Sequence, residues 1–483
     1  MDHSVQQPEC DANDYRVVVT ALCILVLIVA MLLVQVSAAG EEGTVYYGLS
    51  LVMLLGSLVF LLRPFVSLTL VLVYLISPLP ALLDLKYSAA ITALMIGNCA
   101  AGSLLAAGFR VPLEGRVLRA LMLVGCLACF TGAYGAWRGN QASLLLGDVY
   151  QLGEFAAMFF LARNLVKSER QFRALANVIV GATVSVAVLQ IADALRGASY
   201  LPRLEQHGIN IARTISMTAP ISFVVLLAML AVAKHKKWIL AGMGILAVNL
   251  LGSFTRGLWL ATAASSVFLL ILQGGKFRRT VLRYVFTACV VAAPLLYVTG
   301  LGSIIGDRIG YSAQQFRSAS EEDQNLSGRR LLEYILVLPR IAEHPIMGSG
   351  LGATFAIAGD AVIGGAKGEQ IDFHYIHDLY LAIAYRLGIP ALLILFISLW
   401  KYFRRAIDKL RKPGLSPESA ALMAGLIAAV FGEVVLSLTS PTLLNHPTAG
   451  LSACMMAVTT AKFRRKARVN DPGPQDVSEF GSS

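Results

Sequence analysis

Two histidines, two adjacent arginines and a run of glycines share one polar stretch of an otherwise apolar chain. Ser327-Gly328-Arg329 opens it, with Arg330 next. An apolar helix-like run follows, and then His344-Pro345-Ile346-Met347-Gly348-Ser349-Gly350-Leu351-Gly352. Further on, His377-Asp378-Leu379-Tyr380-Leu381 begins the next apolar run. An imidazole at a wet boundary exchanges a proton near neutral pH, so His377 reads as an acid–base group or as an interfacial anchor that opens a helix. His374, three residues earlier, puts a second imidazole on the same helical face and raises the question of a metal. Asp372 and Asp378 are near, but no third ligand is evident.

Two more arginines, Arg213 and Arg256, fall at the ends of apolar runs, in Asn210-Ile211-Ala212-Arg213-Thr214 and Ser253-Phe254-Thr255-Arg256-Gly257. An arginine at bilayer depth costs about 2.5–3.5 kcal/mol on insertion scales, so it snorkels to the interface or faces a partner or cavity. Together with Arg329, or its neighbour Arg330, they would form a guanidinium cluster. Planar five-donor forks of that kind hold a phosphate bidentately. Asp148, Glu154, Asp193, Glu433 and Arg386 also lie within or near apolar runs, as partners for these charges.

The elements that must position these groups are membrane spans. Of the 483 residues, 57% are hydrophobic and 14% charged, against about 25% charged in a soluble domain. Apolar runs of roughly 20 residues, enough to cross a hydrocarbon core, recur along the chain. They lie near 17–39, 46–62, 65–83, 88–109, 117–136, 143–165, 172–195, 211–233, 237–252, 258–274, 281–300, 378–400, 418–440 and 447–463. Some are short or poorly separated, so the expected fold is an all-α integral membrane protein of about 12–14 transmembrane helices. The first run is too long for a signal-peptide core and reads as an uncleaved span. Spans four and five are rich in small residues, among them Gly97 and Gly125, which allow close helix approach.

The net charge of +11 follows topology. With the N-terminus in the cytoplasm, most of the 40 Lys and Arg residues fall in the terminal tails and even-numbered gaps, as in Arg163-Lys167-Arg170-Arg173 and Lys462-Arg464-Arg465-Lys466. That is the positive-inside bias, and it points to anionic lipid headgroups and away from nucleic acid. Both termini are then cytoplasmic. The seven cysteines form no disulfide or zinc framework, and Cys126-Leu127-Ala128-Cys129 reads as small packing residues. The chain divides into a tail (1–16), about eleven spans (17–300), one long external loop (301–376), about three spans (377–463) and a second tail (464–483).

Within the long loop, Leu331, Leu332, Ile335, Leu338 and Ile341 recur at three- and four-residue steps, with Arg330, Glu333, Arg340 and Glu343 in the complementary positions. That pattern predicts an amphipathic helix along the membrane surface, kinked at Pro339. The glycines after Pro345 end it in a flexible turn.

In order and spacing these pieces resemble the O-antigen ligase and polymerase superfamily of bacterial polytopic membrane glycosyltransferases. The family's pattern is Ser-Gly-Arg, a helix, His-Pro-x-x-Gly-x-Gly-x-Gly, then His-Asn-x-Tyr-Leu at the start of a span, with an earlier Ser-Arg-Gly matched here by Thr255-Arg256-Gly257. Asp378 stands where the family has Asn, and Tyr334 where Trp is commoner. The resemblance implies a multi-pass protein of the bacterial inner membrane with its active loop in the periplasm. It implies transfer of a glycan from an undecaprenyl-diphosphate donor to an acceptor hydroxyl, on lipid A-core or a growing polysaccharide. Arg213, Arg256 and Arg329, with Arg330 as the competitor for Arg329, would bind the diphosphate. His377 would be the base, Arg329 would act beside it, and no metal or other cofactor is called for. Asp378 would alter the basicity of His377. The rival reading is a polysaccharide-related secondary transporter or flippase. Such proteins usually carry internal repeats and helices broken at the midplane, and this sequence shows neither.

Overall fold

The computed structural model describes residues 48, 50, 52–57, 63–82, 85–106, 115–196, 217–253, 255–275, 277–284, 326–358, 370–461 and 463. The expected first span and Arg213 lie outside the described residues. The helices in chain order are α1 (Pro64–Ile76), α2 (Leu79–Leu82), α3 (Leu85–Ala106), α4 (Gly115–Trp137), α5 (Ala142–Leu165), α6 (Glu169–Arg196), α7 (Ala219–Met229), α8 (Lys236–Gly252) and α9 (Arg256–Leu272). After them come α10 (Leu326–Glu343), the strands β1 (Phe355–Ala358) and β2 (Gln370–Phe373), and α11 (Leu379–Leu387), α12 (Ile389–Arg411), α13 (Pro417–Leu436) and α14 (Thr448–Thr460).

The protein is largely helical, and four described helices are long and apolar enough to cross a membrane: Tyr87–Leu105, Ala142–Leu165, Glu169–Ala192 and Pro417–Leu436. The last is the centre of the bundle, with 78% of its apolar window buried against 22% for Ala142–Leu165. It packs between α7 and α9, while α14 lies along α5. Of the small residues expected at close approaches, Gly132 lies in ordinary contact with Val149 and Leu145 of α5, and the tighter approaches use other glycines. Beside Gly97 and Gly125 no described atom lies within 4 Å of an added Cβ, whereas at Gly425 a Cβ would sit 2.8 Å from Val225 Cα. At Gly450 it would meet Leu75 at 2.9 Å and the Glu154 carboxylate at 2.8 Å. Cys126 and Cys129 also fail the packing expectation, since both are exposed on α4.

Two local departures from the expected fold have readable causes. The run expected as one span from 378 to 400 is two helices, because Gly388 takes φ 86° and ends α11 while Pro390 starts α12. The long loop also holds an antiparallel hairpin, with Phe355 opposite Phe373 and Ala358 opposite Gln370, so the chain is not purely α.

Connections at the helix ends sort into two groups. At one end, the 138–141 turn bonds the 344–353 segment, and the residues after α13 receive the starts of α9 and α11. At the other end, Glu169 accepts the backbone N–H and the hydroxyl of Ser416, Arg173 pairs with Glu418 at 3.0 Å, and Phe172 packs on Phe463.

Candidate functional site

The glycine run is a clasp. Gly348, Gly350 and Gly352 have φ of 63°, 86° and 77°, a left-handed conformation that glycine adopts without steric cost. Their positions are crowded: a Cβ on Gly350 would lie 2.6 Å from Gly135 Cα, and one on Gly348 2.6 Å from the Tyr385 carbonyl oxygen. The amides of the loop are already used. Ser349 N–H donates to Tyr385 O at 2.6 Å, Gly350 N–H to Arg386 O at 3.0 Å, and Gly352 N–H to Asp148 Oδ2 at 2.8 Å. Asn140 Nδ2 donates back to Ser349 O and Leu351 O at 3.1 and 2.9 Å. The turn expected to be flexible is thus tied to α4, α5 and α11, and its amides have no capacity left to cradle a phosphate. Gly350→Ala should therefore lower the yield of folded protein. A left-handed alanine costs about 1–2 kcal/mol before any overlap is counted. The fraction eluting as a single species from mild detergent measures it, and Gly97→Ala, beside open space, should leave that fraction unchanged.

Asp148 is the knot of the clasp. Its Oδ1 accepts from Arg386 Nη1 at 2.9 Å and meets His374 Nε2 at 3.1 Å, while Arg386 Nη2 also donates to His374 O. The other imidazole nitrogen of His374, Nδ1, faces Ala353 O at 3.2 Å. Both of its ring nitrogens are occupied, so His374 holds the loop in place. Arg386, expected among the arginine–carboxylate pairs, finds its partner here.

His377 turns the other way. Its Nδ1 meets Glu333 Oε1 at 2.5 Å, and its backbone N–H donates to Glu333 Oε2 at 3.0 Å. The Tyr375 ring stands edge-on at 4.9 Å. The two histidines that shared a face in a helical reading thus point to different carboxylates. Among the described residues, no group of three metal-ligating side chains gathers.

The sequence pattern placed Glu333 on the polar side of α10. In the fold it lies on the buried side with Val337 and Ile341, at four-residue steps, while Ile335 and Leu338 are exposed. Arg329 and Arg330 are the fourth and fifth residues of α10, one helical turn before Glu333 and Tyr334 respectively, so each position shares a face with its successor.

Asp378 caps α11. Its Oδ1 accepts the N–H groups of Tyr380 and Leu381 at 2.8 and 3.1 Å, and its Oδ2 accepts the Tyr334 hydroxyl. The two residues at which the motif departs from the family pattern are therefore bonded to each other. The Asp378 carboxylate is engaged in starting the helix, and Glu333 is the group bonded to the His377 ring.

Arg256 is the first residue of α9 and is half-buried. Beside it, a Cβ on Gly257 would meet Thr439 Oγ1 at 2.6 Å, so this helix start abuts the end of α13. The same end of α13 receives α11: Leu379 N–H donates to Ser437 O at 2.9 Å and Tyr380 Oη to Val434 O at 2.7 Å. The starts of the helices carrying Arg256 and His377 thus meet one segment, 434–439. Of the remaining charged candidates, Glu154 pairs with His446 at 2.8 Å in the core, and Glu433 is buried with Oε2 unbonded.

Residues 241–396 match the family described as O-antigen ligase. The matched region contains Arg256, Arg329, Arg330, Glu333, the glycine clasp and His377, and it omits Arg213 and Asp148. No curated protein matches the chain. The O-antigen ligase match over 241–396 and the membrane-length helices together support the general reading of a membrane protein of O-antigen ligase or polymerase type.

Proposed function

We propose that the protein is a glycosyltransferase that moves an undecaprenyl-diphosphate-linked glycan onto an acceptor hydroxyl, of lipid A-core or a growing polysaccharide, at the periplasmic face of a bacterial inner membrane. The observation that carries this reading is that the helix start bearing Arg256 and the one following the partly exposed His377 imidazole both abut segment 434–439, and that both lie inside the stretch that matches the O-antigen ligase family. The same end carries the clasp, and α10 packs on α11 there through Val337 and Ile341. The acceptor oxygen attacks the anomeric carbon, His377 Nε2 takes the hydroxyl proton, and the anomeric C–O bond breaks toward the diphosphate. That leaving group departs with the bonding pair and an added negative charge. Its departure needs fixed positive charge more than a proton, which Arg256, Arg329 or Arg330, and Arg213 would supply.

The orientation rests on the positive-inside bias together with the sorting of helix-end contacts. The gaps expected outside touch one another, and those expected inside do likewise. On this reading 301–376 is the periplasmic segment between about eleven spans (17–300) and about three (377–463), with tails 1–16 and 464–483 in the cytoplasm.

Deletion of the gene followed by electrophoresis of surface polysaccharide tests the reading. Uncapped core with accumulated lipid-linked chains identifies a ligase, and single repeat units identify a polymerase. Unchanged polysaccharide would remove both. In the complemented strain, Arg256→Ala and Arg329→Ala should each abolish transfer at unchanged protein level, whereas wild-type banding in both would dissolve the diphosphate site.

A further inference from the structure

We infer that Glu333 is the positioning residue of His377, holding its ring in the one tautomer that can take a proton from substrate. The inference deepens the reading above and rests on it. A carboxylate on the buried face of a helix needs partners for both oxygens. Glu333 is 6% exposed, and its partners are the ring and the main chain of a single residue. Gripped at both points, the imidazole cannot turn without breaking a bond. An ionised carboxylate only accepts, so the neutral ring carries its proton on Nδ1 and presents the Nε2 lone pair outward. The His377 side chain is 32% exposed and that of Glu333 8%, so the base is open to substrate while its partner is shielded. When Nε2 takes up the acceptor proton, the new cation lies against the Glu333 carboxylate, the logic of a triad's third member.

The other histidines bonded to carboxylates lack this opening. His374 has both nitrogens occupied. His446 lies between Glu154 and Ser88, each at 2.8 Å, with its side chain 2% exposed. Among the described residues, His377 is the one carboxylate-bonded histidine with a ring nitrogen left over for chemistry.

The test uses full-length protein in lipid nanodiscs, with an undecaprenyl-diphosphate-linked glycan and its acceptor glycolipid as substrates. Glu333→Gln keeps the shape, but it puts an NH₂ in place of one of the two accepting oxygens, so one N–H of His377 loses its acceptor. The expected loss is about 10²–10⁴-fold in kcat with KM within a few-fold. Glu333→Asp keeps the charge on a shorter arm and should lose less than Glu333→Gln. A merely structural role would reverse that order, since Gln fills the site and Asp leaves a gap. Because Glu333 acts through His377, the double variant Glu333→Gln/His377→Ala should be no slower than His377→Ala alone. Full kcat in Glu333→Gln with loss in His377→Ala overturns this inference and leaves the base assignment standing. Multiplicative losses in the double variant place Glu333's role elsewhere and also overturn it. Full kcat in His377→Ala removes the base itself. If Glu333→Gln fails to fold, the Glu333→Asp variant and its own double with His377→Ala decide by the same comparison.

Discussion

Asp148→Ala should be the most destabilising single substitution in the described part of the chain, costing about 3–5 kcal/mol. The reason is what it leaves behind. The Arg386 side chain is 14% exposed, and Asp148, itself 5% exposed, is its only ion-pair partner among the described residues. Removing the carboxylate strands a guanidinium in the packed interior, together with the Gly352 amide and one nitrogen of His374. A half-removed ion pair is worse than none, because a buried charge without a counter-charge pays its full desolvation cost. Asp148→Leu/Arg386→Met should therefore recover most of what either single change loses. Heat-induced loss of the single detergent-solubilised species measures the series. Equal midpoints for Asp148→Ala and wild type would mean that the clasp does not depend on this pair.

The position of Asp148 explains how much of the site could be read from the sequence. Residue types survive translation into function when the chemistry is local. His377 opens a helix, and the glycines follow a helix end. The split at Gly388 was missed, with 378–400 expected as one span, although Gly388 followed by Pro390 is a helix stop and restart. The rest depends on how rigid pieces rotate against one another. Apolar side chains at 331, 332, 335, 338 and 341 define one face of α10 by pattern. The helix buries the face of 333, 337 and 341 instead, because it packs on α11 and the hairpin through Val337 and Ile341. Glu333 follows that face inward and meets a residue 44 positions away. Asp148 reaches residues more than 200 positions away, in a helix outside the family match. No periodicity encodes a partner at that separation. The glycines follow the same rule: composition pointed to Gly97 and Gly125, but packing puts Gly425 and Gly450 at helix contacts while Gly97 faces open space.

His377→Ala is expected to lower kcat by about 10²–10⁴-fold, the usual contribution of a positioned general base, with little change in donor KM. The diphosphate is held by arginines and the imidazole meets the acceptor hydroxyl, so losing the ring affects the transition state more than ground-state donor binding. The protein should remain folded. The ring is partly exposed, and what anchors α11 is Asp378, Leu379 N–H on Ser437 O, and the Tyr380 hydroxyl on Val434 O, none of which the substitution touches. Asp378→Asn provides the contrast. An amide oxygen still accepts the two capping N–H groups, its NH₂ can donate to the Tyr334 hydroxyl, and that hydroxyl accepts as readily as it donates. Activity should stay within a few-fold, because the helix start survives and the group bonded to the His377 ring is Glu333. A large kcat loss in Asp378→Asn with a small one in His377→Ala would transfer the base role from the imidazole to the capping carboxylate. Initial rates of glycan transfer by the two purified variants, taken at saturating donor, decide between the two.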